Sequence, residues 1–151
     1  MGVRPRTGWL LAALGLLAAF VAPACGASDT AEVVTVRASV LVEPAAADAR
    51  WFRDVEVPKG TDGYELLEAA TEGALDADWF PEFRAHFVKE ILGIAPAGSA
   101  SWGVFLWSES ISAWEPLPFG ADLLSVKEGH VMGWALVEFD PDDPQLPVSV
   151  P

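Results

Sequence analysis

Cysteine is nearly absent: Cys25 is the only one in the chain. No intramolecular disulfide can form, and no thiolate pair exists for a structural zinc site. Histidine is almost as scarce, with His86 and His130 alone, and neither has a second histidine or cysteine at ligand spacing. Basic residues are few, nine against 22 acidic, for a formal charge of −13. Such a surface repels phosphate backbones and anionic lipid head groups, which excludes nucleic acid as a partner and a basic face as a membrane anchor. Solubility alone accounts for the charge equally well. The sequence has no Gly-x-Ser-x-Gly elbow, no P-loop and no His-Glu-x-x-His. Ser99, Ser101, Ser108 and Ser110 have no evident base partner. A binding role is therefore expected rather than an enzymatic one, with no required cofactor.

What the chain has begins at its N-terminus. Arg4 and Arg6 precede an apolar run from Gly8 to Val21, and Ala22-Pro23-Ala24 supplies small residues. That order is a secretory signal. The run of 14 residues would span about 21 Å as a helix, short of the roughly 30 Å hydrocarbon core of a bilayer. Export is expected, with residues 1–24 removed. Arg4 and Arg6 leave with them and no acidic residue does, so the charge of −13 becomes −15. Ala22-Pro23-Ala24-Cys25 resembles the lipobox of bacterial lipoproteins, in which the cysteine is lipidated and becomes the first mature residue. Ala24 and Cys25 fit that pattern, and Ala22 and Pro23 depart from it. The resemblance implies lipidation of Cys25, an outward-facing membrane anchor and a tether over residues 25–32. Ordinary cleavage near Ala24 or Ala27 gives a soluble secreted protein instead.

The remaining 127 residues suffice for one domain, expected over 33–139, before an acidic, proline-rich and loose tail over 140–151. Seven Trp and eight Phe exclude a disordered acidic chain. Val34, Val36, Ala38, Val40 and Val42 alternate as a half-buried strand. Trp51, Arg53, Val55 and Val57 alternate as a second, paired with the first in a hairpin. Asp62 and Glu65 have capping-box spacing ahead of a helix of about three turns that Gly73 closes. Asp76 to Glu82 reads as a connection with a Trp79-Phe80-Pro81 corner. Three further strands are expected over His86–Leu92, Trp102–Trp107 and Val131–Phe139, with a turn-rich stretch from Ser108 to Gly120. This order indicates an α+β fold, one main helix across a mostly antiparallel sheet.

Several motifs share their order with a known family. Val55-Glu56-Val57-Pro58-Lys59-Gly60-Thr61 precedes Leu66-Leu67-Glu68-Ala69-Ala70. Then come Ile91-Leu92-Gly93-Ile94, Ser101-Trp102-Gly103-Val104-Phe105-Leu106-Trp107 and Lys127-Glu128-Gly129-His130-Val131-Met132-Gly133-Trp134. Together they resemble the DUF4430 family, related to the C-terminal domain of transcobalamin and intrinsic factor. The resemblance spans Val33 to Phe139 and implies a β-grasp-like fold. It departs at Gly129-His130, where the family has Gly-Asp, at Gly103, and at Ser108-Glu109-Ser110, where it has Asn-Gly. In the vitamin-carrier relatives this domain covers one face of a bound cobalamin, and a helical domain covers the other. The resemblance thus implies a corrinoid such as cobalamin as ligand, held on half a clamp or together with a surface or transport protein.

Trp102, Trp107, Trp114 and Phe119 are the candidate ligand-binding residues, because flat aromatic faces suit a planar or apolar ligand. Core packing would use the same residues. Trp102 and Trp107, five apart in one strand, have opposite parity and cannot both face the core. Trp114, in the turn-rich stretch, is expected to be exposed. A metal role for His86 or His130 lacks partners, His130 being expected to lie solvated in its turn. Asp140, Asp142 and Asp143 lack the calcium-loop pattern. A cell-surface protein-interaction or structural module without a small ligand remains the competing reading, since sheet edges and exposed aromatics also suit protein partners.

Overall fold

Alternating apolar residues make the first strand, β1 (Thr35–Glu43), and it is covered on both faces. Ala38, Val40 and Val42 point into the main core, and Leu41 into a smaller cluster on the opposite face. The computed structural model describes residues 33–138, 140 and 145–151, so the proposed signal, Cys25 and the tether lie outside the described residues. β1 turns through Ala46–Asp48 into β2 (Arg50–Pro58), its antiparallel partner, as the alternation predicts. A β-bulge breaks that alternation. The register moves from Ala38↔Val55 to Val40↔Phe52, and Asp54 takes a φ of 53°. Phe52, Val55 and Val57 therefore pack on the main core, while Trp51 joins the opposite cluster.

Helix α1 (Gly63–Ala70) begins with the expected capping box. The Asp62 carboxylate accepts the Glu65 N–H at 2.9 Å, and Glu65 accepts the Asp62 N–H at 3.0 Å. It has eight residues, about two turns rather than three. The Gly73 N–H reaches back to the Glu68 carbonyl at 2.9 Å from a φ of 76°, a conformation glycine takes without strain. Leu66, Leu67 and Ala70 are buried against the sheet. A Cβ on Gly63 would stand 2.7 Å from Met132 Cε and 2.9 Å from the Ala121 carbonyl oxygen, so glycine permits the close approach.

The segment expected as a connection is a strand. β3 (Leu75–Phe80) pairs with β4 (Ala85–Ile91) in a separate two-stranded sheet. Asp76 and Asp78 disfavour a strand by propensity. Lys89 on β4 compensates, its Nζ lying 3.0 Å from Asp76 and 2.9 Å from Asp78. Leu75, Ala77, Val88 and Ile91 pack on the main core.

β5 (Ala100–Ser108) and β7 (Val131–Glu138) form the expected late strands, and a short β6 (Ala113–Pro116) stands inside the turn-rich stretch. The sheet order is β2-β1-β7-β5-β6. The pair β1–β7 is parallel, and the other pairs are antiparallel. The architecture is α+β with antiparallel pairing dominant.

Residues 145–151 are not loose. Glu43, only 4% exposed, accepts the Val148 and Ser149 N–H groups at 2.7 and 2.9 Å. Trp114 Nε1 donates to the Ser149 carbonyl at 2.8 Å, and Pro147 is buried. Gly133 leaves room for this seat, since a Cβ there would lie 3.1 Å from the Trp114 ring and 3.4 Å from Pro147.

Asp62→Ala removes one cap and is expected to cost about 1 kcal/mol, lowering Tm by a few degrees in thermal unfolding. Deleting residues 145–151 uncovers Trp114, so tryptophan emission should shift to the red. The same deletion in a Trp114→Phe background should give a clearly smaller shift.

Candidate ligand-binding surface

The β3–β4 hairpin carries its apolar core residues at one end and exposed aromatics at the other. Four large aromatics fall within residues 79–87, and all are exposed: Trp79 at 50%, Phe80 at 38%, Phe83 at 71% and Phe87 at 55%. A contiguous exposed apolar patch is informative where a single exposed residue is not. Asp78 stands opposite Phe87, and Trp79 opposite His86. Phe80 and Phe87 meet edge to face, with centroids 6.4 Å apart. Phe83 sits in the turn, its N–H bonded to the Phe80 carbonyl at 3.2 Å. Phe80, Phe83, Ala85, His86 and Phe87 line a concavity of about 260 Å³. Enclosing pockets for drug-sized ligands run to about 300–1,000 Å³. This cup suits one edge or face of a flat ligand rather than its whole surface.

The His86 side chain shares a hairpin face with Trp79, its cross-strand partner, and that face is opposite the one that carries Phe80 and Phe87. Its ring stacks on Tyr64, with centroids 3.8 Å apart and 10° between planes, and Trp79 lies tilted at 4.9 Å. Asp122, in the turn Ala121–Leu123, holds it twice. One carboxylate oxygen accepts the His86 backbone N–H at 2.8 Å, and the other lies 2.5 Å from ring Nδ1. A carboxylate only accepts, so Nδ1 carries the hydrogen. Nε2 has no hydrogen-bond partner among the described residues and is not sealed from solvent. Gly120 lets this turn approach β4, since a Cβ there would collide with that of Ala85.

The surroundings are acidic. Burial pushes the Tyr64 hydroxyl above its ordinary pKa, and the charges of Glu68, Asp122, Asp62 and Asp76 add to the rise. Burial likewise raises the Asp62 carboxyl, with Glu65 and Asp122 reinforcing the effect after backbone hydrogen bonds oppose it. The local field favours a cation or a neutral ligand over an anion. Among the described residues no group of three His, Cys, Asp or Glu side chains is placed to hold a bare metal ion.

The four residues singled out in the sequence do not converge. Trp102 is buried in the main core, where neither its Nε1 nor that of Trp134 has a partner among the described residues. Trp107 lies on the opposite face, as parity requires, with Trp114 at 5.3 Å in an edge arrangement. Trp114 is buried, not exposed. It belongs to β6, stacks near Trp51 at 6.5 Å and is covered by the returning tail. Phe119 is exposed at 44%, and its chain neighbour Gly120 abuts Ala85 beside the cup. The residues missed were Trp79, Phe80, Phe83, Phe87 and Asp122. Their signal was aromatic density over residues 79–87, in a segment whose aspartates disguised a strand.

No protein-family model and no curated protein matches the sequence. Solved structures do. Haptocorrin in complex with Cbi is similar over 71% of this chain, at 14% identity and a TM-score of 0.58. The likeness spans 26% of the haptocorrin chain, so this chain corresponds to about a quarter of that protein. A protein of Ruminococcus gnavus ATCC 29149, provisionally described as metal-binding, is similar over 70% of this chain and 99% of its own, at 18% identity and a TM-score of 0.54. At these identities the likeness shows a shared fold.

His130 is half-buried rather than solvated, and its Nδ1 accepts the Lys127 N–H at 3.3 Å. Burial, and secondarily the Lys127 charge, lowers its pKa from 6.5. The unfolded chain therefore takes up this proton first as pH falls. The contribution of His130 is full above pH 6.5 and should be lost as pH falls through the lowered folded value. Denaturant unfolding from pH 8 to pH 5 should show this fall, and His130→Asn should flatten it.

Proposed function

We propose that this chain is an exported module, anchored by lipid on Cys25, that binds a small, flat and largely apolar ligand, with a corrinoid such as cobalamin as the favoured class. The observation that carries this reading is the exposed aromatic cup of Phe80, Phe83 and Phe87 beside His86. Leaving these part-exposed rings in water forgoes a share of the roughly 1.5–3 kcal/mol that full burial gives each, a standing cost that a bound ligand removes. The resemblance to the DUF4430 family supports the reading, as does a fold shared with haptocorrin in complex with Cbi. On the same grounds we read the fold as β-grasp-like. The module acts by binding rather than by catalysis and needs no cofactor of its own.

The cup covers one side of such a ligand, so a second surface belongs to the functional unit. A surface or transport protein is the partner that an outward-facing lipoprotein would meet. No helix among the described residues is long and apolar enough to cross a membrane. Attachment in this reading rests on Cys25. The acidic surface leaves nucleic acid out.

A second reading is favoured by the openness of the patch: Phe83 and Phe87 project at 71% and 55% exposure. Such rings also dock protein partners, and a cell-surface interaction module without a small ligand would use the same hairpin.

Cobalamin titrated into the purified protein should quench tryptophan emission with saturation, Trp79 being the nearest indole. Phe87→Ala should weaken binding about tenfold, the effect of about 1.4 kcal/mol. Absence of quenching up to high micromolar cobalamin, with partner capture by cross-linking in intact cells, would replace the first reading with the second.

A further inference from the structure

The outer face of the β3–β4 hairpin divides along its length. Side chains two apart on a strand share a face, and so do cross-strand partners. Asp76, Asp78 and Phe80 of β3 therefore lie together with Glu90, Phe87 and Ala85 of β4, on the face turned away from Tyr64 and His86. Near the turn this face is aromatic. Phe80 and Phe87 meet edge to face, and Phe83 joins them around the concavity. Toward the other end it is acidic. Asp76, Asp78 and Glu90 supply three carboxylates, against the one ammonium of Lys89, which lies 3.0 Å from Asp76 and 2.9 Å from Asp78. Two negative charges remain, and Glu90 has no ion pair among the described residues. Glu82 and Arg84, both exposed in the turn, offset each other.

Asp78 is where the two ends meet, since it stands directly opposite Phe87. The Cβ atoms of such partners lie about 4.5–5.5 Å apart. A ligand lying on Phe87 therefore brings one edge within reach of this carboxylate and strips water from it. An uncharged edge leaves that loss uncompensated, and an anionic edge adds repulsion. A cationic edge offsets it. The rings favour the same sign, because the face of a phenylalanine is negative and attracts a cation within about 6 Å of its centroid.

Resting on the reading of this hairpin as a small-ligand surface, we propose that its ligand is a planar organic cation. The apolar body lies on Phe80, Phe83 and Phe87, and the positively charged edge faces Asp78. Any flat ring system with such an edge meets the requirement, a corrinoid with a cationic peripheral group included. Lys89 tempers the attraction, because it shares the carboxylates that the ligand's charge approaches.

The test uses the full chain and three flat probes built on one ring system, near neutral pH: N-methylacridinium, a cation; acridine, which is neutral; and acridine carboxylate, an anion. Binding is followed by the NMR shifts of the phenylalanine rings. The cation should bind about fivefold more tightly than acridine, the worth of one close charge contact in a watery setting, and the anion should bind least. High salt should erase the difference. Asp78→Asn should erase it at low salt, and Lys89→Gln should widen it, while neither changes the affinity for acridine. Both side chains reach solvent, and opposite effects at two such positions cannot come from a damaged fold. Equal affinities for the cation and acridine, or failure of the cation to bind, would overturn the charged edge. Saturable quenching by cobalamin in the same preparation would then leave the binding reading standing. No binding of any acridine or of cobalamin would remove both.

Discussion

Strands β1 and β7, early and late among the described residues, run parallel within the five-stranded sheet, pairing Ser39 with Val131 through Glu43 with Ala135. A parallel pair cannot be closed by a tight turn and requires a long crossover. Everything between the two strands is that crossover: β2, α1, the β3–β4 hairpin, β5, β6 and the turn Ala121–Leu123. The helix covers the face made by Val40, Val42, Met132 and Trp134. The hairpin has no strand of the main sheet to pair with, so it pairs with itself and leans on α1 and the turn. Its far end extends beyond the core. The parallel pair thus accounts for an aromatic-bearing hairpin that projects from the body of the fold.

The elements that could be read from the sequence are those in which one physical rule dominates. The β1 alternation, the Asp62–Glu65 capping box and the parity of Trp102 against Trp107 depend on local geometry alone. The elements that could not be read depend on a distant partner. Asp76 and Asp78 stand in a strand because their neighbours Leu75 and Ala77 pack on the core, with Lys89 pairing both carboxylates at the surface. Trp51 changes face because of a bulge whose Asp54 N–H is held by Ser39 Oγ at 3.3 Å. Trp114 is buried because Glu43, some hundred positions from the tail, organises the Val148 and Ser149 amides over it. The candidate site followed the same division. Aromatic density over residues 79–87 was visible in the sequence, but Asp122 meets His86 only through the packing of Gly120 on Ala85.

Two aromatic groups in this small domain have opposite fates, and the contrast separates structure from function. Trp51, Trp107 and Trp114 meet on the sheet face away from the helix. Arg53 lies 4.5 Å above the Trp51 ring, Pro147 packs beside Trp114, and the indole N–H of Trp114 is satisfied by Ser149. The chain supplies cover and a hydrogen-bond acceptor for that group. For Trp79, Phe80, Phe83 and Phe87 the described residues supply no such cover.

Beside the open group, however, the polar partners are fully arranged. Both Asp122 oxygens are engaged, one His86 nitrogen is engaged, and the ring is confined between Tyr64 and Trp79. Confining a side chain forfeits rotamer entropy, which the part-buried bonds between His86 and Asp122 offset. Order of this kind beside uncovered apolar surface is what preorganised recognition requires, because the ordering cost is met during folding and not again on binding. The His86 ring belongs to the hairpin face turned to Tyr64, so its bonds to Asp122 fix the hairpin to the turn Ala121–Leu123 and hold the Phe80 and Phe87 rings of the other face in place before any ligand arrives.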